Sequence, residues 1–311
     1  MSAPQTTCDR ADFPRCQVCG ADAWTSVYVG PVRDGGFGAN REAEVRRCRG
    51  CGVDRLAESV CLDLRDYETS AYRDRLAQSH QIDKHRKEHD ELARFTFEAL
   101  WPLSLRGAAV ADVGCGGGVF LDHVKGVAAD LVAIEPNTQF ADYLKARGYR
   151  WYPTAAEAMA DHGGRVDVAV STQVIEHVEE PYAFLRDIFA LLRPGGVAVV
   201  STPNREDILM ELLPEDFPSF FYRTQHRWSF SAASLRGCAE RAGLVCREVR
   251  GIHRYGMSNV LHWLKDGRPR GRKRLPPIDA TMDKLWQGWL ESVGKADNLF
   301  LIAERPKEDQ A

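Results

Sequence analysis

No stretch of the 311-residue chain reaches the about 20 consecutive apolar residues that a bilayer-spanning helix needs, and the first fifteen residues lack the apolar segment of a secretory signal. These two gaps set aside membrane anchoring and export, and they make the cytoplasm the expected location. A surplus of charge of one sign is missing too. With 41 Lys and Arg against 44 Asp and Glu, the net charge is −3, so no overall field draws the chain to nucleic acid or anionic lipid. A disulfide framework is the third absence, because nine cysteines, an odd number scattered over a long chain, suit reduced thiols and a metal site better. What remains is a chain with 44% apolar residues, enough for one large core and a small satellite.

Residues 1–12 are polar and read as a flexible leader. Residues 13–65 are rich in Gly and Arg with short alternating stretches, which suits a small β unit that needs a staple. Residues 66–106 are densely charged with spaced apolar positions (Leu76, Ile82, Leu92, Phe95, Leu100) and predict a helical cap. From residue 107 to 311 the pattern predicts an α/β domain. Short β-branched runs at 110–113, 131–134, 166–170 and 197–201, with a weaker one at 150–152, alternate with helical stretches, the signature of a parallel sheet. A helix at 231–242, a strand at 245–251, a Trp-containing helical insert at 252–297 and a last strand at 298–303 complete the expectation.

The staple of the small unit is legible as Cys16-Gln17-Val18-Cys19-Gly20 and Cys48-Arg49-Gly50-Cys51-Gly52. A two-residue gap lets both sulfurs of a pair reach one ion, and the glycine that follows permits a tight knuckle. Four thiolates suit tetrahedral zinc, and a full set of four leaves no open position, so a structural zinc is expected at Cys16, Cys19, Cys48 and Cys51; an iron–sulfur cluster is the competing metal.

The second motif is Val110-Ala111-Asp112-Val113-Gly114-Cys115-Gly116-Gly117-Gly118, a strand entering a glycine-rich turn before a helix that opens at Val119 or Phe120. Dinucleotide enzymes use such turns, but their pattern wants a third glycine where Val119 stands. Asp112 sits poorly beside a pyrophosphate, yet it could attract the cationic amino end of a methionine moiety. Glu135, which with Pro136 closes the next strand about 20 residues on, is placed to accept from ribose hydroxyls.

With Asp167–Val170 followed by Ser171-Thr172-Gln173-Val174-Ile175-Glu176-His177-Val178 and later Arg193-Pro194-Gly195-Gly196, residues 108–204 resemble the core of class I S-adenosylmethionine-dependent methyltransferases. The resemblance implies a Rossmann-like seven-stranded sheet whose last strand is antiparallel. It also implies adenine near Ala155, Ala156 and Gln173, with the methyl group facing the loop after the fourth strand, and S-adenosylhomocysteine as the spent cofactor. The cysteine unit, the region of Tyr67 and Tyr72, and Arg254-Tyr255-Gly256-Met257-Ser258-Asn259 are similar to bacterial zinc-ribbon methyltransferases of sugars and secondary metabolites. The cofactor set expected is therefore Tyr72, Asp112, Gly114, Cys115, Gly116, Gly118, Glu135, Pro136, Ala155, Ala156, Thr172 and Gln173.

Methyl transfer to a hydroxyl asks the protein to align the oxygen and remove its proton. His177 is the first candidate base, with a packing role beside the cofactor as its alternative; Glu176 would orient it or bind substrate, and His226 is the second candidate base. Asn204, Tyr222, Tyr255 and Asn259 are the expected substrate contacts, and Phe217, Phe220, Phe221 and Tyr222 read as an apolar lid or as simple packing. His80, His85 and His89, among charged neighbours, read as a solvated helix face. The basic run at 268–274 reads as a solvated loop or a contact for a phosphorylated substrate. The leading function is methylation of a small molecule, most readily at oxygen of a sugar or natural-product intermediate, a nucleotide-linked sugar among them. Two other readings stand beside it: an RNA or protein methyltransferase that grips its target with the ribbon, although the charge balance disfavours RNA, and a cofactor-binding scaffold without turnover.

Overall fold

The computed structural model describes residues 12–36, 38–69, 74 and 82–307. Tyr72 and His80 lie outside them, as does the side chain of His85. The larger layer is a seven-stranded sheet built from β4 (Ala109–Val113), β5 (Asp130–Ile134), β6 (Arg150–Tyr152), β7 (Val166–Thr172), β8 (Leu192–Pro203), β10 (Val245–Ile252) and β11 (Asn298–Glu304). Its order is β10-β11-β8-β7-β4-β5-β6, with β11 antiparallel to both neighbours and the β8-to-β6 half parallel. The order reverses beside β4, whose two neighbours are β5 and β7, and such a switch point leaves a crevice beyond the carboxyl ends of the strands. Continuous apolar runs such as Val110 and Ala111 are buried from both faces because helices cover both sides of the sheet.

Helices α1 (Ile82–Leu100), α2 (Val119–Val124), α3 (Ala141–Ala146), α4 (Ala155–His162), α5 (Pro181–Leu191), α6 (Ile208–Leu212), α7 (Phe217–Phe221), α8 (Ala232–Arg241), α9 (Met257–Asp266) and α10 (Ala280–Ser292) complete the described architecture. Several starts are dictated locally. Ser231 caps α8 by accepting from Ser234 N while the Ser234 hydroxyl accepts from Ser231 N, and Asp279 caps α10. The expected insert is α9 and α10, and the aromatic stretch read as a lid or as packing contains the short helix α7.

The cysteine unit is not a free satellite. Its hairpin of β1 (Trp24–Arg33) and β2 (Asn40–Cys48) continues through β3 (Asp54–Leu56) into β9 (Trp228–Ser229), a strand of the larger unit. Cys16, Val18 and Trp24 share one apolar cluster with Ile175, Trp228 and Leu235. An ion network around two buried arginines closes the seam: Glu58 accepts from Arg55 and Arg227, both at 2.6 Å, and the Arg55 guanidinium lies 4.8 Å from the Trp228 ring centroid. Breaking one partner of such a network strands a buried charge, so it holds the ribbon in one position.

Candidate active site

The crevice opens into a cavity of about 1040 Å³, bounded by the glycine turn, the β7 loop, the end of β1, α7 and the start of the insert. At the β4 end, Gly114 has φ +81°, and a Cβ there would lie 2.3 Å from Val174 Cγ2, so only glycine lets the turn approach the β7 loop. The carboxylate of Glu135 bridges this turn to the next loop, with Oε2 accepting from Gly116 N at 2.7 Å and Oε1 from Asn137 N at 2.9 Å. Asp112 is buried, and that burial together with nearby Glu135 pushes its carboxyl up to about 8. An open cradle with two acids at its rim fits a cationic, ribose-bearing ligand better than a pyrophosphate.

Across the cavity lies the β7 loop. Among the described residues, Gln173 is the non-glycine residue with positive φ, +57°, and its amide donates to Asn298 Oδ1 at 2.9 Å. His177 Nδ1 lies 2.7 Å from the carbonyl of Gln225, which can only accept, so Nδ1 carries the proton and Nε2 presents a lone pair. Tyr67 adds a second tie, donating to the same carbonyl at 2.9 Å with its hydroxyl 3.0 Å from Nδ1. The Nε2 atom stands 3.8 Å from Glu176 Oε1, a buried oxygen with no hydrogen-bond partner among the described residues, while Glu176 Oε2 accepts from the Thr202 hydroxyl at 3.1 Å. Burial, with Arg223 and Arg227 adding to it, pushes His177 down to about 4, and burial pushes Glu176 up to about 7. His226 packs edge-on against His177 at 4.7 Å between centroids and is held well below its ordinary range by burial, Arg223, His177 and Arg33.

Of the residues expected at the site, Asp112, Gly114, Cys115, Gly116, Glu135, Pro136, Thr172, Gln173, Glu176, His177, His226, Tyr255 and Asn259 line this one cavity. Others do not. Tyr222 is buried, donating from its hydroxyl to Asp54 Oδ2 at 3.1 Å and packing on Tyr28, so it is part of the ribbon seam. Asn204 spends its amide on the carbonyls of Gly294 and Ala296 and its oxygen on Glu206 N, which fixes the loop after β8. Ala155 and Ala156 open α4 away from the cavity, and Gly118 packs beneath the turn against Leu144 and Tyr149. His89, expected on a solvated face, faces the cavity, and Pro269 and Gly271 of the basic run reach it as well. Arg33, Arg223 and Arg254 also line the cavity; the first two belong to no local motif, are 190 positions apart and meet only through tertiary pairing.

Among the described residues, two sets could hold an ion. The sulfurs of Cys16 and Cys51 are 3.8 Å apart and those of Cys19 and Cys48 are 3.5 Å apart, against an edge of about 3.8 Å for a tetrahedron with zinc–sulfur bonds near 2.3 Å. Gly50 N points at Cys48 Sγ from 3.3 Å, as a knuckle amide should. Donor set and spacing therefore fit zinc. Glu176, His177 and His226 also bring ligand atoms within 4.8 Å of one another, although Arg223 and Arg33 add positive charge beside them.

A family model described as a methyltransferase domain matches residues 80–249, more than half of the chain. The chain belongs to this family and is an S-adenosylmethionine-dependent methyltransferase. It is 28% identical over 200 residues to a ubiquinone biosynthesis O-methyltransferase of Azorhizobium caulinodans, covering 58% of this chain and 79% of the relative. Against the ubiquinone biosynthesis O-methyltransferase of Psychrobacter cryohalolentis it is 37% identical over 180 residues, 52% of this chain and 68% of that one. Among solved structures, a chain from the complex of the Haloferax volcanii Trm112 methyltransferase activator with a methyltransferase superposes with a TM-score of 0.51. At 14% identity, covering 72% of this chain and 95% of that chain, it speaks for the fold alone. No helix among the described residues is long and apolar enough to cross a membrane.

Proposed function

We propose that the protein transfers the methyl group of S-adenosylmethionine to a hydroxyl oxygen of a small molecule, with His177 as the base. The observation that carries this reading is the fixed tautomer of His177, whose unprotonated Nε2 lies in the cavity 3.8 Å from Glu176 Oε1. Bound S-adenosylmethionine supplies a methyl on a positively charged sulfur, open to in-line attack. Asp112 and the turn at Gly114 and Gly116 hold its methionine end, Glu135 holds the ribose, and Cys115, Pro136, Thr172 and Gln173 shape the surroundings. Phe217, Phe220, Phe221 and Trp263 wall the acceptor side and exclude water, and Tyr255 and Asn259 complete that side. The hydroxyl proton passes to His177 Nε2, and the charge that forms there is offset by Glu176. A zinc ion held by the four cysteines keeps the ribbon folded against this wall, so the ribbon at 13–65 and the cap at 66–106 are closing pieces for the domain at 107–311.

The test is methyl transfer from radiolabelled S-adenosylmethionine to a panel of sugars, nucleotide-linked sugars and hydroxylated ring compounds. RNA and a protein lysate run beside them as macromolecular acceptors. An O-methylated small molecule is the expected product. Label recovered only in RNA or protein overturns the reading, and cofactor binding without turnover on any acceptor assigns a scaffold instead.

A further inference from the structure

The end of the cavity that the ribbon closes is basic. Arg33 is the last residue of β1, and its backbone is locked beside Arg223 by Arg33 N donating to the Tyr222 carbonyl and Thr224 N donating to the Arg33 carbonyl, both at 3.0 Å. The two guanidiniums attend one ring, with Arg33 Cζ 4.2 Å and Arg223 Cζ 6.0 Å from the Phe220 centroid. Arg254, the third cavity arginine, is spent on Asp297 at 2.6 Å, whereas Arg33 has no ion pair and its buried Nε has no hydrogen-bond partner among the described residues. Burial pushes Arg33 down to about 10, which leaves it charged at neutral pH, and the side chain that favours its charge is Tyr255. Among the described residues, no carboxylate acts on Arg33. A half-buried cation without a counter-charge is costly to keep, and a planar guanidinium whose Nε is unpartnered among the described residues suits a bidentate oxyanion.

We propose that the acceptor carries an oxyanion, a carboxylate or a phosphate, gripped by Arg33 beside Arg223 while its hydroxyl faces His177. This rests on the reading of the cavity as the methyl-transfer site. It gives the ribbon a direct part in recognition, because the residue that selects the anion is the end of a ribbon strand and the zinc cluster fixes that strand's hairpin.

Calorimetry on the full-length protein saturated with S-adenosylhomocysteine tests this with three ring probes: benzoate, phenyl phosphate and neutral benzyl alcohol. At least one anion should bind about tenfold more tightly than benzyl alcohol, and the stronger anion identifies the group carried. Arg33→Gln should erase that preference, and Arg33→Lys, which keeps the charge and loses the fork, should retain part of it. S-adenosylhomocysteine affinity should be unchanged in both variants. If Arg33→Gln does not fold, as judged by its melting curve, Arg33→Lys alone decides through a reduced preference. Anions that bind no better than benzyl alcohol, or whose binding survives in the folded variants, overturn the proposal. Failure of wild type to bind S-adenosylhomocysteine would instead strike the methyl-transfer reading.

Discussion

At one end of the cavity, Asp112, Gly114, Gly116 and Glu135 fall within residues 112–135 and are set by two adjacent strands and their turns. At the other, Arg33, His177, Arg223, His226 and Tyr255 are drawn from residues 33–255 and meet only through tertiary pairing, Arg33 through its bridge to Arg223. The first end carries acids and open backbone; the second carries arginines, imidazoles and aromatic rings. The contrast teaches that the part common to every methyl transfer can be written locally, while the part that chooses an acceptor is assembled from distant pieces. Each end can therefore be damaged separately.

The largest effect should come from the staple. Replacing Cys48 and Cys51 by serine should remove one zinc per chain, measured by elemental analysis, and should abolish turnover, because structural zinc contributes roughly 10 kcal/mol or more to such units. Wild-type protein containing no metal, or a full complement of iron, would sink the zinc assignment. Next comes His177→Ala, which should lower single-turnover rates about 100-fold while leaving S-adenosylhomocysteine affinity nearly unchanged. Full activity in that variant, with loss in His226→Ala, would move the base to the loop before β9. The wild-type rate should climb with pH through about 7, where Glu176 ionises and can offset the imidazolium, and Glu176→Gln should flatten that climb.

The same contrast governs what could be read from the sequence. Strands β4, β5 and β7 were legible because a buried parallel strand is a short β-branched run between turn residues, as in 131–134. The clustering of the four cysteines and the glycine turn were legible because their spacing is the chemistry. Strand β9 was not, since two residues, Trp228 and Ser229, carry no periodicity and pair only once β3 arrives. Nor was Arg33: its neighbour Arg223 is 190 positions away, and nothing near either residue marks them as a pair. Tyr222 misled because an aromatic in a cluster looks the same whether its hydroxyl meets a substrate or, as here, Asp54.

On the local end, Glu135→Ala should weaken S-adenosylhomocysteine binding by about 1.5 to 3 kcal/mol through loss of charge-assisted bonds to the ribose. Calorimetry reads this directly. An unchanged affinity in a folded variant would show that this acid serves only to tie Gly116 to Asn137.

The smallest effect, and the one most particular to the acidic end, concerns the proton on Asp112. Burial and Glu135 hold its carboxyl up at about 8, so at pH 7 the ligand-free protein keeps it largely protonated. The unfolded chain releases that proton near the ordinary aspartate value of about 3.9. Between these two values the unfolded state binds fewer protons, so this residue makes the ligand-free fold less stable as pH rises, an effect that levels off above about 8. A bound amino group that is positively charged favours the carboxylate and expels the proton. Affinity for S-adenosylhomocysteine should therefore rise from pH 6 to pH 8, by less than about tenfold per unit, and turn over once the ligand's own amino group begins to lose its charge. Titrations in two buffers of different ionisation enthalpy should show proton release at pH 7, and Asp112→Asn should abolish both the release and the slope. A flat affinity across this range, or proton uptake on binding, would mean that the amino group lies elsewhere and that Asp112 serves the fold of the turn alone.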